Sequence, residues 1–337
     1  MNETMRGTRG RSAAANTPAN DSTNSWARAA VRGKRGLAFG LALALGMQAA
    51  LPFASGRAWA QSPAAGAASE ALAAGDAAWA RRAEGHQGGR AAAGPIGEAV
   101  AAYERAVKAE PDRLETSWKL LRALHYKGEY STPTKEGQQK VFGRGRDVVE
   151  AAFDRLARKA GGRAKLDALT PAQVAKAYAG DADALQLFFW GSVHWGLWGD
   201  VFGRMAAARQ GVGDKVRRYS EITIAMDERF EEAAGHRVLG RLHTLAPKIP
   251  FITGWVDHDK AITELRRSLA LAPQNLDTQL FLAEAIFEYQ PEKAAEARQI
   301  LKQLIARQPS PARVVEEEKT IANARALLAK NKGLGGG

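Results

Sequence analysis

Two stretches at opposite ends of the chain are built alike, and that recurrence constrains the fold more than any other feature. The run GEAVAAYERAVKAEPD (97–112) carries Val100, Tyr103, Ala106 and Val107 at helical spacing and is stopped by Pro111. Arg113 to Gly128 then places Trp118, Leu121, Leu124 and His125 on one face, with Gly128 set to close the helix. The order returns at Lys260–Ala272, with Ile262, Leu265 and Leu269 on a stripe, broken by Pro273-Gln274-Asn275 and resumed at Leu276–Tyr289. A further helix, 292–307, ends at Pro309, 36 positions after Pro273.

A helix, a proline break and a second helix at about this period form the tetratricopeptide pattern, whose repeat is about 34 residues. One such pair cannot bury its apolar face alone. Stacked pairs bury a shared core and leave a concave surface on which function sits. The predicted fold class is therefore all-α, a tetratricopeptide-like helical-repeat array (an α-solenoid) following an N-terminal signal segment. Composition agrees, because Ala dominates many segments while Val and Ile are sparse.

The chain has no Cys, which excludes disulfides, zinc–thiolate sites, thiol catalysis and lipid attachment through an N-terminal Cys. The net charge of +12 points less toward nucleic acid than its size suggests. Eight basic and two acidic residues lie in the first 60, leaving 40 basic against 34 acidic, a net of +6, interspersed along helices. No nucleic acid partner is expected.

Arg32, Lys34 and Arg35 precede an apolar run, Leu37 to Leu51, which is followed by Pro52, Gly56 and Ala58-Trp59-Ala60. This is the basic, apolar, small-x-small order of an export signal, with cleavage expected after Ala60. The run is short of the roughly 20 residues a spanning helix needs. No second such run follows, so no membrane span is expected in the mature chain, which would be periplasmic or secreted. The predicted organisation is a signal and extension over 1–60, a flexible leader (61–69) and short helix (70–83) within 61–97, a repeat domain over 98–330, and a frayed tail over 331–337. A Gly-rich loop is expected over 84–97 and a polar connector over 129–142. Less regular helices are expected near 145–160, 171–179, 183–200, 213–227 and 229–245.

The densest feature is LFFWGSVHWGLWG (187–199), three Trp and two Phe in 13 residues of a chain that is 7% aromatic. Two readings are open. The run is a buried core helix whose glycines admit close neighbours, or an aromatic wall of a ligand cavity. The second reading makes Phe188, Trp190, His194, Trp195 and Trp198 cavity-lining residues. Apolar residues in the loop Ala246–Trp255 call for an explanation too: the loop is tucked over a groove, or it is a lid or partner contact carrying Phe251 and Trp255. His243 joins the candidates; it shares a helical face with His236, about 10.5 Å away at 1.5 Å per residue, too far to chelate one ion together. Asp259, beside His258 at a helix start, reads as a cap. There is no HExxH, GxSxG, P-loop or GxGxxG. The expectation is no catalytic residue, no metal and no cofactor: a binding protein rather than an enzyme. An alternative is a non-catalytic scaffold for protein–protein interaction in the cell envelope.

One family resemblance runs through Leu185 to Ala285. It is carried by FFWGSVHWGLWGD (188–200), Ala225-Met226-Asp227-Glu228, HRVLGRLHTLAP (236–247), Gly254 with KAITELRRSLALAP (260–273), and LFLAEAIFEY (280–289), in that order. The segment resembles the T component associated with tripartite ATP-independent periplasmic (TRAP) transporters. The resemblance implies a periplasmic protein with tetratricopeptide-like repeats and an internal apolar channel. It implies a protein partner in the envelope, the periplasmic solute-binding component of a transporter, with a homo-oligomer such as a trimer as an implied arrangement; a small hydrophobic ligand is the further partner expected from the cavity reading of the aromatic run. Members of the family are often lipoproteins, and here the sequence departs, having no Cys to carry the lipid.

Overall fold

The structure is a computed structural model and describes residues 63–250 and 253–333. The expected signal over 1–60 and the end of the expected tail lie outside the described residues. Among the described residues the chain is all-helical, and the only bridge between extended residues is the single pair Gln87–Arg90.

Fourteen α-helices succeed one another among the described residues. In the first part α1 (Pro63–Ala80), α2 (Ala93–Ala109), α3 (Leu114–Tyr126) and α4 (Lys135–Ala157) each pack on the helix before. Short α5 (Arg163–Ala168) and α6 (Pro171–Ala177) lead to α7 (Ala182–Phe202), which lies against α3, α4, α9 and α10. Then follow α8 (Arg204–Arg209), α9 (Val212–Met226), α10 (Phe230–Leu245), α11 (His258–Leu271), α12 (Leu276–Tyr289), α13 (Ala294–Ile305) and α14 (Val314–Lys330). The proline breaks fall as expected, α2 ending two residues before Pro111 and α11 two before Pro273. Asn275 caps α12 by accepting from the Thr278 N–H at 2.8 Å.

Several local expectations are corrected. The leader expected over 61–69 is helical from Pro63, since proline fits the first turn, where its missing N–H is not needed. The loop expected over 84–97 ends at Ala92, and Pro95 sits inside the first turn of α2 for the same reason. The connector expected over 129–142 is short, because Thr134 caps a helix that begins at Lys135. Gly128 does not close α3. It lies in a π-type turn, Lys127–Ser131, where a Cβ would collide with the Phe142 ring. The α11 cap is Asp257 rather than Asp259, accepting from the Asp259 and Lys260 N–H groups at 2.9 and 3.1 Å.

In the first turn of α10 the backbone is left-handed at three successive non-glycine residues, Glu231, Glu232 and Ala233, with φ of 46°, 61° and 59°. Left-handed conformations cost L-residues about 1–2 kcal/mol each, so the turn persists only because its surroundings over-determine it. The buried Arg237 guanidinium donates to the carbonyls of Glu232 and Glu231 at 3.0 and 3.3 Å. Ser268 donates to the Ala233 carbonyl. The Glu232 carboxylate accepts from Asn275 at 2.7 Å and pairs with Arg313 at 3.3 Å. Arg313 in turn reaches Asp277, which accepts from Thr320. The strain is thus held by polar side chains of α10, α11, α12 and the start of α14.

The helix succession curves until its ends meet. Arg82, just past α1, pairs with Glu316 of α14 at 3.2 Å and donates to the Ala312 carbonyl. Lys319 donates to the Glu129 carbonyl at 2.8 Å, and His86 lies 3.5 Å from Glu318. The contact is close at Gly89, where a Cβ would stand 2.6 Å from the Lys319 Cα. We predict that Gly89→Ala lowers stability by about 1–3 kcal/mol, the usual cost of overpacking against an unyielding neighbour. Denaturant unfolding measures it, and a mutant unfolding at the wild-type midpoint would show that this closure contributes nothing.

Candidate functional site

Every residue from Leu187 to Gly199 is buried. A helix apolar around its whole circumference belongs in a core. Phe188, 1% exposed, meets Phe153, Tyr178 and Tyr219 with ring centroids 5.3, 6.2 and 5.9 Å away. Trp190 packs on Phe189 and His125 and donates to Gln186 at 3.1 Å. His194 lies within 2.8 Å of the Leu121 carbonyl through Nε2, against which Nε2 acts as donor. Burial pushes its pKa down to about 3, so it is neutral at physiological pH. Its ring fills the space left by Gly145, where a Cβ would collide with it. Trp195 has the Lys215 ammonium 3.5 Å above its ring, and Trp198 stacks on Phe202 at 4.7 Å. Gly191 and Gly199 admit close neighbours as expected, a Cβ there falling 2.9 Å from Phe153 and 3.0 Å from Val212. The structure therefore places Phe188, Trp190, His194, Trp195 and Trp198 in the core.

A cavity of about 430 Å³ opens where this aromatic packing ends, a volume suited to a small molecule. From α7 it is lined by Gly199 and Asp200, and from the neighbouring helices by Ala207, Val212, Leu242 and Leu245. The loop after α10 contributes Pro247, Ile249 and Thr253 to its wall. That loop is tied to itself: Thr253 Oγ1 donates to the Pro247 carbonyl and accepts from the Ile249 N–H, and the Thr253 N–H donates to the Ile249 carbonyl at 2.9 Å. Phe251 lies outside the described residues. Trp255 packs beside the cavity wall rather than in it, edge-on to His243 at 5.5 Å and with the Arg217 guanidinium 4.5 Å over its ring. His243 is buried, accepts the Asp257 N–H at Nδ1, and is pushed by burial down to about 4. His236 sits elsewhere, bridging Glu264 and Glu228 at 2.5 and 3.2 Å. Among the described residues no group of three or more His, Asp or Glu is placed to hold a metal ion.

The polar group that the sequence reading passed over is Asp200. It is half-buried at the cavity wall, and burial, reinforced by the neighbouring Glu129 carboxylate, raises its pKa to about 7 against the opposing pull of Arg241 and Lys135. A perturbed carboxyl in an apolar cavity marks a candidate site. The large apolar residues exposed among the described residues, Phe202, Met205 and Ile249, all belong to this end of the molecule, on α7, on α8 and on the lining loop. The sequence signal was present: one acid directly after the aromatic run Leu187–Gly199, then an Ala-rich segment between Gly203 and Gly211.

Neither the protein-family models nor the curated proteins searched give a match to this chain.

Two outcomes follow from the geometry. Trp195→Ala should cost about 3–5 kcal/mol, since it empties a buried aromatic site; a thermal midpoint equal to wild type would remove Trp195 from the core. Asp200 holds its proton to about pH 7 when folded, but only to about pH 4 when unfolded. Between these values the native state binds the extra proton, so this group weakens the fold as pH rises from 4 to 7. Asp200→Asn should therefore gain stability over wild type at pH 8 and lose that gain at pH 4. Equal differences at both pH values would mean an ordinary, solvated carboxyl.

Proposed function

We propose that the chain is an exported helical-repeat binding protein that holds a small apolar or amphipathic molecule in the cavity at the end of α7 and presents it to a protein partner in the cell envelope. The cavity itself carries this reading: apolar walls, one perturbed carboxyl and an exposed Ile249 in its lining. Apolar surface left at a cavity mouth favours a ligand or a partner that covers it. The packing of α1 to α4 and of α11 to α14 on their chain neighbours supports a tetratricopeptide-like array. No described helix is long and apolar enough to cross a membrane. The motif order over 185–285 adds the role of a TRAP-transporter accessory, with a periplasmic solute-binding protein as the partner. No catalytic step is assigned to the cavity: of the other polar groups in its lining, Asp214 pairs with Arg217 and the Thr253 hydroxyl is held by its own loop.

The test is direct. The purified chain should bind a nonionic solvatochromic dye, hexan-1-ol should displace it, and Ala207→Phe, which fills the cavity, should weaken dye binding about tenfold or more with the helical spectrum unchanged. Dye binding unaffected by Ala207→Phe would remove the cavity from the function. A tagged chain should also recover a solute-binding protein from its own envelope extract. Recovery of assembly proteins alone would leave a scaffold.

A further inference from the structure

The cavity at the end of α7 has apolar walls, yet it keeps a carboxyl that neither a hydrogen bond nor an ion pair satisfies. The charges around Asp200 are otherwise committed. Arg241 of α10, which faces it, is paired with Glu284 at 2.8 Å. Glu129, the nearby carboxylate, has Lys319 at 3.8 Å and lies on the π-type turn. Lys135 of α4 is exposed to solvent. On the cavity's outer side Asp214 of α9 is exposed and pairs with Arg217, while Arg204 of α8 and Lys248 of the loop are exposed. An exposed cation is screened and does little to offset a desolvated charge. The unmet charge in the cavity is therefore negative.

Accepting the cavity as a ligand site, we infer that its ligand is a small organic cation: an ammonium whose nitrogen sits against the Asp200 carboxylate and whose apolar body lies on Ala207, Val212, Leu242 and Leu245. A half-buried carboxylate without a partner loses part of its hydration, a cost that an incoming cation offsets, while an alcohol or a carboxylate ligand does not. The raised pKa adds a pH dependence with a fixed sign. Above pH 7 Asp200 is ionised and attracts the cation; below it the neutral acid does not. An alkylammonium stays charged throughout this range, so any change with pH belongs to the protein.

The experiment is calorimetric titration of the chain with hexylammonium, hexan-1-ol and hexanoate at pH 8 and pH 6, repeated with Asp200→Asn. Hexylammonium should bind tightest at pH 8, lose about tenfold in affinity at pH 6, and lose about as much in Asp200→Asn, while hexan-1-ol stays unchanged across all four conditions. The pH comparison on the unaltered chain needs no mutant. Hexylammonium binding no tighter than hexan-1-ol, tightest binding by hexanoate, or indifference to Asp200→Asn would overturn the cation assignment and leave the cavity as a site for apolar molecules. Failure of all three probes to bind would overturn the ligand-site reading together with it.

Discussion

The burial of α7 on every side is the constraint around which the molecule is arranged. A helix whose residues from Leu187 to Gly199 are all removed from water needs neighbours around its full circumference, and α3, α4, α9 and α10 supply them. The glycines decide how close those neighbours come. Gly191 lets the stacked pair Phe153 and Tyr219, 4.5 Å apart, press onto the helix backbone, and Gly145 of α4 makes room for the His194 ring. The aromatic density of this segment is the filling of a close-packed interior, where large rings gain both buried area and edge-on geometry.

Around this apolar centre the chain places charged groups that a core ordinarily excludes. Arg237 and Arg241 are each 1% exposed, and Arg313 is 8% exposed. They act locally. Arg237 holds the left-handed turn at the start of α10, Arg241 pairs with Glu284, and Arg313 joins that turn to Asp277 and so to α12 and α14. Replacing such groups by apolar ones is often neutral or stabilising in other folds, so their net energy is small. Their effect here is geometric. Without them the turn at Glu231–Ala233 keeps only Ser268 and Asn275 to offset its backbone strain, and the direction in which α10 leaves α9 would change. That direction decides where Leu242 and Leu245 stand, and these are cavity walls.

Much of this was legible in the sequence, and the limits are physical. Helices near the proline breaks could be read because proline removes a donor and fixes φ, a local effect that tertiary packing rarely overrides. The same residue misled at Pro63 and Pro95, where it lies in the first turn and is compatible with the helix. Gly128 reads as a cap from composition, but a glycine serves equally well where a neighbour's ring must approach, and only Phe142, fourteen positions later, distinguishes the two. The left-handed turn had no local signal at all: Glu-Glu-Ala favours helix, and its conformation is imposed by Arg237, Ser268, Asn275 and Arg313. The aromatic helix was correctly singled out as a dense feature, but periodicity cannot separate a core helix from a cavity wall, since both are apolar. The separation comes from which helices surround it.

The cavity's position follows from what the sequence withholds after the aromatic run. Past Trp198 the side chains become small or absent, with Gly199, Gly203 and Gly211 and an alanine-rich α8 between the last two. Gly203 and Gly211 take φ of 88° and 60°, conformations that let α8 stand as a separate short turn instead of extending α7 into the space. Small residues alone would let the neighbouring helices close in. Here Pro247, Ile249 and Thr253, hydrogen-bonded to one another, form a wall that holds the opening. Into this space the chain puts an acid, Asp200, whose charged form is disfavoured by burial. A sequence that follows the rules of helix and core design through most of α7 and departs from them beside a cavity makes that residue the candidate for function. The energetic penalty of that carboxyl and the affinity of the site for a charged ligand are two aspects of the same desolvation.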